Sequence, residues 1–367
     1  MIIFASGISG SDKVSYLKKV SSISSGTIDI IDVGDLMFKK SQQLGIEIPE
    51  GKILDLDPLA LDYLRAVTFE EILRIINNYR GTEGHELIIS THTCFRWKKH
   101  LMPAFNFYYL NKINPDIYIT ILDNAQFIWA RLQRSQWKNR LSLKDILVWR
   151  DEETFITEML AEYQKKPFYI ISRNEPPELL KDIIINVEKA KKLGKKQALK
   201  AYLSYPITYM KGDSSWMERK EHVKKQLREA GIVVFDPISI EEADVIGLAE
   251  EAKSRNENNI PIKLEDDEEI LIPVEEIEKS KEDILDQIVA RDYKLIEQSD
   301  VIIVFYPVTT LSPGVLSEIN YGFTHNKEVY AIFPYRSRSP FFDYYTTAVF
   351  EDVESLIEYF RENKRLI

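Results

Sequence analysis

"DVIIVFYPVTTLSPGVLSEINYGF", residues 300–323, opens with an unbroken apolar run, passes a serine, a proline and a glycine, and continues as a helical pattern. A strand that turns through glycine into a helix is the repeating unit of a parallel sheet covered on both faces. Between Tyr306 and Phe323 the only carboxylate is Glu318. The same rhythm runs along the chain. "MIIFA", "IDIIDV", "ELIIST", "DIYITIL" and "FYIIS" alternate with helical patterns such as "ALDYLRAVTFEEILRIINNY". Further on, "KAYLSY", "GIVVFDP", "DVIIVFYP" and "EVYAIFP" alternate with more helices. The expected class is α/β, with two doubly wound, mainly parallel three-layer α/β/α domains.

Composition agrees with two domains: 367 residues, 44% hydrophobic and 29% charged. In "EKAKKLGKKQALKAYLSYP", six lysines from Lys189 to Lys200 precede a fresh strand. This places a linker at 189–200 between domains at 1–188 and 201–367. The net charge of −10 is uneven, because residues 241–286 carry 17 acidic and 5 basic side chains. That stretch reads as a solvated acidic insertion in the second domain, with a β-hairpin or short helices; nucleic-acid mimicry is the alternative. Otherwise no nucleic-acid partner is expected. Cys94 is the only cysteine, and with His85, His92, His100, His222 and His325 it offers no metal-ligand spacing, so no metal site is expected. No apolar run approaches the ~20 residues of a membrane span, and "MIIFASG" lacks a basic leader. A cytoplasmic protein without a membrane partner is expected.

In open parallel sheets ligands bind beyond the carboxyl ends of the strands, which directs attention to the following loops. The first is "ASGISGSDKVSYLKKV". A phosphate-cradling loop reads G-x-x-x-x-G-K-[ST], with glycines for close backbone approach, a lysine for phosphate and a hydroxyl for magnesium. Gly7, Gly10 and Lys13 fall into place, but Asp12 precedes the lysine and Val14 follows it. With "IDVGDLMFKKSQQLGI", "ELIISTHT" and "INPDIYITILDNAQFIWARLQRSQWKNR", this loop makes residues 1 to about 187 resemble the archaeal-type adenylate kinases, which are P-loop proteins. The resemblance implies that Lys13 and the amides around Gly7 and Gly10 face phosphates. It places Asp35 near the acceptor nucleotide, makes Arg131, Arg134 and Arg140 lid arginines, and implies ATP and magnesium as cofactors of this domain. The loop is degenerate. Asp12 sets a negative charge where phosphate meets bare backbone, and like charges at ~4 Å repel by about 4 kcal/mol at an effective dielectric near 20. Val14 removes the magnesium hydroxyl, and Ser15, ~100° further round a helix, does not replace it. A retained kinase fold serving as scaffold or nucleotide sensor is the resulting expectation.

From Ala201 to about Phe360 three motifs stand in order: "AYLSYPIT", "ARDYKLIEQSDVIIVFYP" and "SPGVLSEINYGF". They resemble the nucleoside 2-deoxyribosyltransferase superfamily, which includes the 2'-deoxynucleoside 5'-monophosphate N-glycosidases. The resemblance implies Glu318 as the nucleophile beneath the anomeric carbon, its ionised form favoured if it lies in the first helical turn. It implies Asp292 as the second acid, near the departing base or the sugar hydroxyls, and Tyr202 as the phenol that orients Glu318. No cofactor is implied for this domain. Where the transferases have an aspartate for the 5'-hydroxyl, the monophosphate hydrolases have a serine for the 5'-phosphate; this chain has Ser312, with the Gly314 amide beside it. The loop "PYRSRSPFF" adds Arg336, Arg338 and Ser339 as phosphate-site candidates, with a homodimer or higher homo-oligomer implied. Taken singly, Glu318 also fits an ordinary helix carboxylate, Asp292 a surface charge and Tyr202 a core aromatic. Where relatives have glycines after the first-strand tyrosine, "SYPITYMKGDSSW" is bulkier. The leading expectation is cleavage, by hydrolysis or base exchange, of the N-glycosidic bond of a (deoxy)nucleoside 5'-monophosphate. A nucleotide kinase and a non-catalytic nucleotide sensor are the alternatives.

Overall fold

The computed structural model describes every residue except 50–51, 80–83, 99, 194–196, 211–213, 240–241 and 367, with the backbone alone at 189–193, 208, 210 and 214. The chain begins β1 (Ile2–Ser6), α1 (Lys13–Ser22), β2 (Ile28–Asp32), α2 (Val33–Leu44), α3 (Pro58–Tyr79) and β3 (Glu86–Ser90). Next come β4 (Cys94–Trp97), β5 (His100–Pro103), α4 (Phe107–Ile113), β6 (Ile117–Leu122), α5 (Ala125–Gln133), α6 (Leu143–Gln164), β7 (Phe168–Ser172) and α7 (Pro177–Leu193). Then follow β8 (Lys200–Ser204), α8 (Ile207–Met210), α9 (Ser214–Glu229), β9 (Val233–Phe235), α10 (Ala243–Ser254), β10 (Asn259–Lys263) and β11 (Glu269–Pro273). The chain closes with α11 (Val274–Glu297), β12 (Val301–Phe305), α12 (Pro313–Thr324), β13 (Glu328–Ile332), α13 (Pro340–Tyr345), β14 (Ala348–Phe350) and α14 (Val353–Glu362).

Two five-stranded sheets organise these elements, each wholly parallel: β2-β3-β1-β6-β7 and β14-β13-β12-β8-β9. Helices flank both, so the fold is α/β with two three-layer assemblies. β4-β5 and β10-β11 are antiparallel hairpins. By contacts the chain forms two compact units, Met1–Glu178 with Ile240–Asp286, and Leu179–Ser239 with Gln287–Ile367. The lysine-rich stretch at 189–200 opens as the end of α7 and closes in β8, while 194–196 lie outside the described residues.

Residues 241–286 differ from the solvated insertion expected of them. Glu241 lies outside the described residues. From Ala243 on, the segment gathers with the first unit, where the β10-β11 hairpin packs against α5. The reason is a period-two pattern hidden among the charges: Ile260, Ile262, Ile272 and Val274 are buried while their strand neighbours stay exposed or half-exposed. Its carboxylates also find partners. Glu242 is fully buried against Arg150, at 2.6 Å, and accepts a bond from the Ala125 amide that opens α5. Breaking such a buried pair from one side costs about 3–5 kcal/mol, so it anchors the segment.

In the second unit, strand alternation sorts the side chains. Ala201, Leu203, Val301, Ile303 and Phe305 join a core with Val223 and Leu227 of α9 and Leu356 and Phe360 of α14. Tyr202, Ser204, Ile302 and Val304 therefore point to the other face, where α12 lies. A proline in its first turn, after Ser312, sets the start of α12. Its seat on the sheet is set at Gly322, where an added methyl would stand 2.3 Å from Ile302 Cδ1. The expected effect of Gly322→Ala is therefore a loss of about 1–2 kcal/mol in urea unfolding, because Ile302 is fully buried and has to repack. A variant as stable as the parent would show that α12 does not depend on this close approach.

Candidate functional site

Glu318 stands one helical turn before Gly322 and reaches the carboxyl ends of β8 and β12, strands one and three of the second sheet. In the order 2-1-3-4-5 this is the place where the chain reverses direction across the sheet and a crevice opens. The Tyr202 hydroxyl donates to one carboxylate oxygen at 2.8 Å, and the Ser204 hydroxyl donates to the other at 2.5 Å. Burial and the nearby Glu318 and Asp292 charges push the Tyr202 phenol well above its ordinary value, which keeps it a donor. Burial, and then the Asp292 charge, push Glu318 up from 4.5 to about 8; the two hydroxyl bonds offset only part of this. Glu318 is the sixth residue of α12, beyond the first turn, so the helix dipole that would favour its ionised form there has faded.

Asp292, on α11, is largely buried beside Arg291, whose Nη2 lies 3.4 Å from it. Burial raises its carboxyl to about 6, with Arg291 opposing and Asp236 adding to the rise. Asp236 follows β9 and accepts from Tyr205 at 2.7 Å, Lys220 at 2.9 Å and Lys224 at 2.7 Å. Burial alone would raise Asp236, but Lys224 and Lys220 outweigh it and hold the group at about 2. Of these three buried carboxyls, one is thus firmly ionised and two keep their protons closer to neutrality. Such a spread of values is what acid, base and nucleophile roles require.

Ser312 caps α12 without using its side chain, and its amide donates to the Tyr306 hydroxyl at 2.8 Å. A methyl added at Gly314 would touch nothing within 4 Å, so this helix start is open. Arg338 and Ser339 line a neighbouring cavity of about 620 Å³, bounded by Tyr306, Leu316, Ile319 and Phe342. Glu318, Asp292, Tyr202 and Ser312 are not among its lining residues. Arg338 pairs with Asp343 at 2.8 Å, and Ser339 caps α13. Arg336 is exposed on the same loop. In "SYPITYMKGDSSW", residues 211–213 lie outside the described residues.

In the first unit the loop after β1 has Gly7 at φ +151° and Gly10 at φ +81°, where side chains rarely go, and Asp12 in the left-handed region at φ 53°. Lys13 is folded back into this loop, donating to the Gly7 carbonyl at 2.9 Å and lying 3.1 Å from His92 Nε2. Burial lowers Lys13 to about 8 although Glu153 and Asp32 pull upward. Glu153 accepts from the amides of Gly7, Thr93 and Cys94. Asp12 bonds Arg173 at 2.6 Å. Arg131 and Arg134 both meet the acidic β10-β11 turn, whereas Arg140 stacks on Trp97, 4.6 Å from the ring centre. Asp35 is an exposed first-turn residue of α2 paired with Lys39. Ser204, Asp236, Arg173, Glu153 and Glu265 are the residues the sequence reading missed. Ser204 carried a signal, since it follows Tyr202 by two positions and so shares its strand face.

Among the described residues, no group of three or more His, Cys, Asp or Glu is gathered to hold a metal ion, and no helix is long and apolar enough to cross a membrane. No family model and no curated protein sequence matches the chain. Solved structures similar to it include shikimate kinase from Acinetobacter baumannii in complex with shikimate, at 12% identity and a TM-score of 0.32, covering 52% of this chain and 94% of that one. A sugar kinase from Janibacter sp. HTCC2649 is similar at 14% identity and a TM-score of 0.29, covering 51% and 94%. A protein from Thermus thermophilus is similar at 14% identity and a TM-score of 0.30, covering 52% and 94%.

The raised Glu318 value has a signed consequence for stability. Below pH 4.5 the carboxyl is protonated folded or unfolded; between 4.5 and about 8 the unfolded chain ionises while the folded one resists. Burial of Glu318 therefore destabilises the protein increasingly as pH rises through that window, and fully above it. Glu318→Gln is expected to match the parent near pH 4.5 and to exceed it by roughly 2–4 kcal/mol at pH 9 in urea unfolding. A gap that does not grow with pH would contradict this electrostatic reading.

Proposed function

We propose that the second unit cleaves the N-glycosidic bond of a (deoxy)nucleoside 5'-monophosphate, with Glu318 as nucleophile. The observation that carries this reading is a carboxylate at the strand ends whose two oxygens are held by hydroxyls, with no lysine or arginine pairing it among the described residues. Asp236, by contrast, is paired with Lys220 and Lys224, and the buried Glu153 of the first unit accepts from three backbone amides. An oxocarbenium-like centre is the cation that Glu318 lacks. Tyr202 and Ser204 fix the carboxylate plane, so attack on the anomeric carbon needs no reorientation. Asp292, raised to about 6, is suited to hand a proton to the departing base. Ser312 and the open Gly314 turn at the start of α12 are suited to a 5'-phosphate, which a helix N-terminus favours.

A second reading, a nucleotide-binding or nucleotide-kinase unit, is favoured by the parallel order β2-β3-β1-β6-β7 and the glycine-bearing loop between β1 and α1. Against catalysis there stand Asp12, Val14 and the turned-in Lys13. Magnesium-dependent ADP formation would identify a kinase, and nucleotide binding without turnover a sensor.

A panel of nucleosides and nucleotides assayed for free base without ATP tests the first reading. Monophosphates are expected to exceed free nucleosides by at least ~10² in kcat/KM, since a charge-assisted contact contributes about 1.5–3 kcal/mol and more than one is available. Ser312→Asp is expected to erase most of that advantage by repelling phosphate. Equal rates on nucleoside and nucleotide in the parent would contradict phosphate recognition there. Because attack needs Glu318 ionised and base departure needs Asp292 protonated, kcat/KM is expected to pass through a broad maximum between about 6 and 8 and to fall on either side; a profile that keeps rising beyond pH 8 would contradict the paired assignment.

A further inference from the structure

The acidic turn between β10 and β11 does more than cover α5. Arg131 and Arg173 converge on a single oxygen, Glu265 Oε1, at 2.7 and 2.8 Å. The same two guanidiniums grip the glycine loop: Arg131 donates to the Gly10 carbonyl at 2.7 Å, and Arg173 to Asp12. One step along, Arg134 holds Asp266 and Glu268, each at 2.8 Å. Three arginines, one of them also bonded to the buried Asp123 at 2.7 Å, stand beside a left-handed glycine loop that leads into the ten-residue helix α1, and the carboxylates of the turn already pair with them.

We propose that Glu265, with Asp266 and Glu268, is a built-in occupant of a polyphosphate site in the first unit, an autoinhibitory contact that keeps phosphate chains out until the turn is displaced. The two sides of the contact differ in exposure. Arg131 and Arg173 side chains are 15% and 11% exposed, whereas Glu265 is 54% exposed and Asp266 and Glu268 52% each. Arg131 and Arg173 are thus the fixed parts of the site, Arg134 at 39% exposed is looser, and the carboxylates are the exchangeable ones, since half-exposed pairs are screened and individually weak. The segment is held independently of these pairs, by the buried Arg150–Glu242 pair and by the buried isoleucines of β10 and β11, so only the turn at 265–268 has to move. Each carboxylate oxygen stands where a phosphate oxygen of a nucleoside triphosphate would accept the same guanidinium bonds. All the residues involved belong to the first unit, so this proposal is independent of glycosidic cleavage in the second.

Calorimetric titration of the full chain with inorganic tripolyphosphate, and in parallel with ATP, tests it. The triple variant Glu265→Gln, Asp266→Asn, Glu268→Gln is expected to bind tripolyphosphate at least ten times more tightly than the parent. Adding Arg131→Ala and Arg173→Ala to that background is expected to return the affinity to the parental level. Glu265→Gln alone, which leaves Arg134 paired, is expected to shift affinity the same way by a smaller factor and serves if the triple variant does not fold. No gain in either variant, a gain for ATP without one for tripolyphosphate, or a gain that survives loss of both arginines would overturn the proposal.

Discussion

Withdrawing a carboxylate from water is costly, and the way each buried carboxylate of this chain is compensated sorts structure from chemistry. In the first unit Glu242 is matched by Arg150 and Asp123 by Arg131, while Glu153 draws on three backbone amides. In the second, Asp236 has two lysines. Glu318 has hydroxyls only, and a like charge, Asp292, nearby. Natural proteins tolerate such an arrangement where function requires it.

The position of that carboxylate follows from backbone geometry. Parallel pairing of β8 with β12 places Tyr202 beside Ile302 and Ser204 beside Val304 on the face that α12 covers. Gly322 lets the helix settle onto Ile302, and Glu318, a turn earlier, meets the two hydroxyls. In the first unit the loop after the first strand is committed differently, its lysine turned inward and the arginines beside it occupied by Glu265. The two parallel sheets therefore present opposite states at their strand ends, one with a buried carboxyl that has no cationic partner among the described residues and one with arginines already paired to carboxylates.

The sheets were legible because buried parallel strands write themselves as apolar runs between glycine-bearing turns, as "DVIIVFYP" and "ELIIST" do. The approach of Tyr202 to Glu318 was anticipated only through the resemblance of motifs, since the two are 116 positions apart. What stayed hidden was long-range charge pairing. Glu265 lies 134 positions from Arg131, and nothing in the local pattern of an acidic run says that distant arginines await it. The period-two isoleucines of β10 were present but masked by the surrounding charge. The dipole benefit attached to a first-turn Glu318 failed for a simpler reason, that α12 starts at Pro313 and leaves the glutamate in its second turn.

The most direct measurement is trapping of the sugar on the enzyme. A 2'-fluoro-arabino nucleoside 5'-monophosphate slows both halves of a two-step displacement by destabilising the oxocarbenium-like state, so a covalent intermediate accumulates. Peptide mass spectrometry after incubation is predicted to find the fluorinated sugar phosphate on Glu318, with free base released in equal amount. Base release with no adduct, or with the adduct on another side chain such as Asp292, would contradict the account.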